Sequence, residues 1–286
     1  MDREQILGAS WPGEQALKQL VHYASGLFIW VATACRFIRD GREYAERRLS
    51  LILRSGASAT APERHLNEIY ITVLENSIGS SYDEFEREDT IARLRKVLGN
   101  IVVLSSPLSA SSISMLLHVT KQLVDQTLYH LHAILDIPED QTRPLRLHHP
   151  SFRDFLLNKD RCGDSSFWVD EKQAHQTLAE SCIRLMSTSL KQDICSLLAP
   201  GVLVTNIESS QVNKCLPLEV QYACLYWVQH LQRSSAKLCD QVYEFLQNHL
   251  LHWLEALSWI GKTSEGILAI FSLEALISVN LLYNIL

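Results

Sequence analysis

The stretch Leu135-Asp136-Ile137-Pro138-Glu139-Asp140-Gln141-Thr142-Arg143-Pro144-Leu145-Arg146-Leu147-His148 decides the fold. Its two ends alternate apolar and polar residues, and the segment from Pro138 to Arg143 is rich in turn formers, so the stretch predicts a small β-hairpin. Three helices are predicted before it. The first runs up to Leu104 and stops at Ser105-Ser106-Pro107. The second begins at about Ser112 behind Ser109, and the third covers Lys121 to Ala133, with Val124, Leu128, Leu131 and then Leu135 on one face. Three short helices followed by a hairpin predict a winged helix. A winged helix that reads DNA needs several Arg or Lys on its third helix, and here the only charges are Lys121 and Asp125, so protein packing is the expected use.

Helical periodicity continues on both sides. After Pro62, suited to a first helical turn, Leu66, Ile69, Tyr70, Val73 and Leu74 fall at i, i+3, i+4, i+7 and i+8. Similar spacing returns at Leu178, Cys182, Leu185 and Met186, and at Val242, Phe245, Leu246 and Leu250. Loops at Arg54 to Thr60 and at Asp160 to Ser166 break the pattern. The predicted fold is mainly α: a helical domain over 1–85, a winged-helix domain with a small β-hairpin over 86–160, and a second helical domain over 161–286.

With 47% hydrophobic residues in 286, the chain has ample material for buried cores. Lys plus Arg total 26 against 32 Asp plus Glu, a net charge of −6 without long like-charge blocks, which disfavours nucleic acid and anionic membrane as partners. Seven scattered cysteines, Cys35, Cys162, Cys182, Cys195, Cys215, Cys224 and Cys239, show no Cys-x-x-Cys and read as reduced core residues. Met1 to Gln5 carry Asp2, Arg3 and Glu4 rather than a basic start to an apolar run, so a cytoplasmic protein is expected. The apolar run Leu27 to Cys35 is too short for a bilayer about 30 Å thick and predicts a buried helix. Ile267 to Leu286 is longer, but Glu274, Asn280 and Asn284 interrupt it, and it reads as a core or partner-facing helix.

Four stretches resemble the NACHT-type signalling NTPases, particularly the fungal kind in which helical domains and WD repeats follow the NACHT core. They are Gly26 to Ala34 (GLFIWVATA), Pro107-Leu108-Ser109, Leu147 to Leu156 (LHHPSFRDFL) and Leu250 to Ser258 (LLHWLEALS). The resemblance covers residues 10 to 270 and implies the region just after the nucleotide-binding sheet: a lid-like domain, the winged helix and a second helical domain. In that family the phosphate loop, the Mg-binding strand and the first sensor arginine precede the helix resembling Gly26 to Ala34. Only 25 residues precede Gly26 here, too few to hold them.

The resemblance singles out His149, which matches a histidine that contacts the nucleotide β-phosphate from the winged helix, an imidazole N–H suiting that role. The alternative is that His149 caps the helix near Ser151 or packs under the hairpin. At Gly26 to Phe28 relatives place a Gly-x-Pro turn against adenine; Phe28 replaces the proline, and a buried helix start is expected instead.

The run Ala256-Leu257-Ser258-Trp259-Ile260-Gly261-Lys262-Thr263 satisfies a relaxed phosphate-loop pattern, yet the residues before it are helical in spacing where a strand is required. It reads as a helix stop at a left-handed Gly261, with Thr263 or Ser264 capping the next helix. His249, His252 and Glu255 share one helix, but their spacing swings Glu255 away from the histidines, and no metal is expected. Glu86, Glu88 and Asp89 read as a solvated helix start, His130 and His132 as opposite sides of a helix, and the aromatics Tyr222, Tyr226, Trp227, Trp253 and Trp259 as core.

No complete catalytic site is expected, nor any cofactor, ADP or ATP entering only through a nucleotide core. The expected role is a non-catalytic regulatory and interaction segment coupling nucleotide state to oligomerisation, with protein partners including its own kind. The alternative is a stand-alone helical adaptor with no nucleotide link.

Overall fold

A computed structural model describes residues 11–56, 61–79, 82–163, 166–197, 207–234 and 240–283. Met1 to Gln5, Cys239, the later part of the loop after Arg54, part of the Asp160 to Ser166 loop and the last three positions lie outside these. The fold is mainly α. In chain order the helices are α1 (Glu14–Ala24), α2 (Phe28–Asp40), α3 (Ala45–Ser55), α4 (Pro62–Asn76), α5 (Glu84–Val103), α6 (Ala110–Leu116) and α7 (Lys121–Leu128). The hairpin of β1 (Leu135–Asp136) and β2 (Arg146–Leu147) follows, then α8 (Ser151–Leu157), α9 (Lys159–Cys162), α10 (Glu171–Ser189), α11 (Ser209–Cys215), α12 (Leu218–Arg233), α13 (Asp240–Trp259) and α14 (Thr263–Tyr283). The strands pair antiparallel, Leu135 opposite Leu147 and Asp136 opposite Arg146.

The chain divides into two compact units. The first contains Met1–Val97, Gln126–Pro138 and Leu145–Val169. Its core is built on α4, where Pro62 occupies the first turn and Leu66, Ile69, Tyr70, Val73 and Leu74 are all buried. Helix α2 lays Trp30, Thr33, Ala34 and Phe37 on one face, at i, i+3, i+4 and i+7, and the Trp30 indole donates to the carbonyl of His65 on α4 at 3.1 Å. At the start of α5, Asp83 and Glu86 form a reciprocal capping box, each carboxylate accepting the other's backbone N–H at 2.8 and 3.0 Å.

The second unit contains Leu98–Asp125, Glu139–Pro144 and Asp170–Leu286. Its centre is the pairing of α10 with α12, covered by α13. Leu178, Cys182, Leu185 and Met186 are buried on α10; Val242 and Phe245 are buried on α13, with Trp253 fully enclosed against Trp227. Ser109 caps α6 by accepting the Ser112 N–H at 3.1 Å, and the Ser112 hydroxyl donates to Glu219 on α12 at 2.8 Å.

Several expectations need correction. Helix α7 ends at Leu128, and residues 129–134 are successive turns, so His130 and His132 do not lie on a helix. Leu131 and Leu135 are buried all the same, because side-chain spacing reports burial and not backbone conformation. The run from Leu27 is amphipathic instead of buried: Phe28 is 89% exposed and Val31 is exposed. Cys35 is exposed and Cys215 half-buried, while Cys162, Cys182, Cys195 and Cys224 are buried; none of these six forms a disulfide among the described residues. Among the described residues no helix is long and apolar enough to cross a membrane.

The Ala256 to Thr263 segment is helix, stop, helix. Gly261 has φ 68°, its N–H bonds Ser258 O at 3.0 Å, and the Lys262 N–H bonds Leu257 O at 2.8 Å, the two bonds of a Schellman motif. Helix α14 begins at Thr263 itself, one residue earlier than a Thr263 cap requires, and the Lys262 carbonyl accepts the Gly266 N–H. A Cβ added at Gly261 meets nothing within 4 Å, so the penalty there is purely conformational. Gly261→Val is expected to destabilise by about 1–2 kcal/mol in urea unfolding, and Gly261→Asn by less; equal stability of the valine variant would show that the turn is not held left-handed.

Candidate functional site

His149 lies immediately before α8, on the exposed side of the first unit. Its local geometry follows from the residues after it. Pro150 fixes φ at −63° and stands at the N-cap of α8, where it offers no side-chain cap, so the free amides of the first turn need another acceptor. The His149 ring supplies it: Nδ1 lies 3.2 Å from the Ser151 backbone N–H and 2.7 Å from the Ser151 hydroxyl.

These contacts fix the tautomer. A nitrogen that accepts from a backbone N–H cannot carry the proton of a neutral imidazole, so the proton resides on Nε2. Ser151 is held in turn by Tyr70 of α4, whose phenolic oxygen is 2.8 Å from the serine hydroxyl. A consistent set of donors runs Tyr70 O–H to Ser151 Oγ, and Ser151 O–H to His149 Nδ1, leaving the Nε2–H as a donor that these contacts do not use. Tyr70 is almost fully buried, and burial pushes its phenol pKa up, so it stays a donor at any physiological pH.

The platform beneath is closely packed. Tyr70 packs edge-on against Phe152 at 5.1 Å and tilted against Phe155 at 5.4 Å, both buried on α8. Asn158 caps α9 by accepting the N–H groups of Asp160 and Arg161, and the Arg161 guanidinium reaches back to Asn67 Oδ1 at 3.2 and 3.3 Å and to Glu63 at 3.3 Å. Behind His149, the backbone N–H of His148 bonds Ile134 O, and His148 Nε2 bonds His132 O, both at 3.1 Å, which extends the hairpin by one residue. The ring thus caps its helix through Nδ1, which is the alternative reading of His149.

The other sequence candidates are not gathered here. In the second unit, His249 and His252 turn Nδ1 atoms towards each other at 3.4 Å, and the Glu255 carboxylate accepts the backbone N–H groups of Asp193 and Ile194 at 3.2 and 3.1 Å. Those oxygens stabilise a loop, and no cluster of three metal-ligating side chains occurs among the described residues. Phe28, expected at a buried helix start, points outward beside Gly26 at φ 80°. Glu86 is committed to its capping box, while Glu88 and Asp89 are exposed, Asp89 paired with Arg93 at 2.8 Å. Sequence reasoning missed Tyr70, Ser151, Asn67 and Arg161 as supports of His149. The signals were the Ser two residues after His149, suited to a local side-chain bond, and the buried polar tip of Tyr70 in an otherwise apolar face.

One curated relative is similar: the vegetative incompatibility protein HET-E-1 of Podospora anserina, 28% identical across 89% of this chain. The similar stretch is 19% of that relative, so the chain spans about a fifth of its length. No protein-family profile and no solved structure matches. The similarity to a fungal NACHT and WD-repeat protein supports a NACHT-related region at a coarse level.

Proposed function

We propose that this chain is a non-catalytic regulatory arm of the NACHT type, in which a winged helix formed around the β1–β2 hairpin carries His149 as a sensor of nucleotide state. The observation that carries the reading is the engagement of His149 Nδ1 by Ser151, itself held by Tyr70, which leaves Nε2 of this exposed residue to carry the proton. A donor fixed in this way loses little conformational freedom when it meets a phosphate oxygen, so the contact favours whichever arrangement contains it. One such bond shifts a two-state equilibrium by about 1–3 kcal/mol, a five- to hundredfold change in population. The similarity to a vegetative incompatibility protein agrees with a signalling role.

The test joins this chain behind a NACHT nucleotide-binding core and follows release of a fluorescent ADP. Release from the His149→Ala variant is expected to be about tenfold faster, and from Tyr70→Phe two- to threefold faster, because the ring is then less firmly held. Unchanged release from the alanine variant would remove His149 from the nucleotide. Lys262→Ala is expected to change nothing, as Lys262 is engaged with Glu265 on an exposed helix start.

A second reading, a stand-alone helical adaptor, is favoured by α14, where Ile267, Leu268, Ile270 and Phe271 are exposed together. It differs in predicting no dependence on nucleotide in the same assay.

A further inference from the structure

The first unit contains a cleft of about 610 Å³ that the balance of charges along the chain conceals. Helix α3 places Arg47, Leu51 and Arg54 on one face, at i, i+4 and i+7, with Arg48 beside them. Across from that face lie the last turns of α4 with Glu75, and Arg87 of α5 closes the rim. Four arginines and one carboxylate, Glu75, therefore line this cleft in a chain whose net charge is −6.

Two ordinary uses of arginine do not account for this gathering. Cations often serve the last carbonyls of a helix, but three of those of α4 are already met: the Ser77 N–H takes Val73 and Leu74 O, and the Ile78 N–H takes Glu75 O. Arginines also pair with surface acids, yet the side chains of Arg47 and Arg87 have no hydrogen bond or ion pair among the described residues, although Glu84, Glu86 and Glu88 flank Arg87 in sequence. Arg54 spends only its Nε, on Ser50 O at 3.2 Å. Arg48 is buried and fixed, with Nη1 on Phe37 O at 2.7 Å and its guanidinium over the Phe37 ring at 4.7 Å. Nearby His130 has its pKa lowered, first by burial and then by the charge of Arg48.

Like charges that line one cleft repel unless an anion joins them. Forked guanidinium groups match the oxygens of a phosphate in bidentate fashion, and Tyr44, 57% exposed at the cleft edge, offers an aromatic face to an organic portion. We propose that this cleft binds a phosphorylated ligand, gripped by Arg47, Arg54 and Arg87 through its phosphate oxygens with Arg48 as the fixed charge behind them. The phosphate belongs either to a soluble polyphosphorylated metabolite or to a phosphorylated lipid headgroup. The site is separate from His149 and stands whether or not that histidine senses nucleotide.

Calorimetric titration of the full chain with inorganic tripolyphosphate at low salt tests it. One site per chain is expected. Affinity falls at least about tenfold in the double variant Arg47→Gln, Arg87→Gln, both positions being exposed, and rises in Glu75→Gln. Lys18→Gln, outside the cleft, binds as the unaltered chain does. A parallel arm compares inositol hexakisphosphate with phosphatidylcholine vesicles carrying phosphatidylinositol bisphosphate: preference for the soluble compound assigns a metabolite, and preference for the vesicles a headgroup. Absence of binding in both arms, or binding that the double variant retains in full, overturns the proposal.

Discussion

Trp253→Ala is expected to lower the stability of the second unit by about 3–5 kcal/mol, the range for removing a fully buried tryptophan and leaving a void. Trp253 has no exposed surface and meets Trp227 edge-on at 5.5 Å. Its indole N–H donates to the Cys224 carbonyl at 2.9 Å, so α13 is tied to α12 by a hydrogen bond as well as by packing. Truncation strips the carbonyl of that partner and uncovers the centre of the unit, two losses that add. Trp253→Phe retains most of the contact area and should cost clearly less. Urea unfolding followed by helical circular dichroism measures both; an alanine variant within about 1 kcal/mol of the parent would mean that this centre is not the stabilising core.

A comparably large effect is expected on acidification. His175 and His230 are both fully buried in the second unit, with Nδ1 atoms 2.8 Å apart, and Tyr222 OH is 2.7 Å from His230 Nε2. One consistent arrangement runs from the Ser105 N–H to Tyr222 O, from Tyr222 O–H to His230 Nε2, and from His230 Nδ1–H to His175 Nδ1. His175 Nε2 faces Glu171 at 3.8 Å. A further proton on His230 deprives the Tyr222 hydroxyl of its acceptor, and one on His175 Nδ1 sets N–H against N–H. Burial, then His175 and Arg233, push the His230 pKa down to about 3.

The folded state therefore keeps His230 neutral while the unfolded chain takes up a proton below its ordinary value of about 6.5. The stability is whole above that value and is lost as pH falls towards 3. The loss between pH 6.5 and 4.5 should be about 2–3 kcal/mol from this residue, added to smaller losses in the same direction from His65, His118 and His148, whose pKa values burial also lowers. In His230→Gln the slope of stability against pH should flatten by about one proton in that window. An unchanged slope would mean that His230 is not the group held neutral.

What the sequence made legible was local. Pro62 at a helix start, Ser109 as a cap, the hairpin at 135–147 and the stop at Gly261 each depend on a few adjacent residues, and the structure has them all. Periodicity alone overextended α7, because Leu131 and Leu135 reach the core through turns that keep the helical spacing of side chains without its backbone bonds. The exposure of Phe28 and Cys35 escaped notice because an apolar run does not announce which face the core will take. The Tyr70–Ser151 hydrogen bond that supports His149 bridges 81 positions, and the basic cleft joins α3 to α5. Neither relation exists until the helices have packed. His149 itself came from resemblance, as nothing in spacing or composition distinguishes it from His148.

The measurement closest to the central claim is the assembly state of this chain joined to a NACHT nucleotide-binding core, followed by sedimentation with ADP bound. The unaltered protein is expected to remain monomeric with ADP, and His149→Ala to assemble under the same conditions, since the contact holding the closed arrangement is gone. If the alanine variant stays as monomeric as its parent, with ADP occupancy equal in both, the coupling through His149 is contradicted.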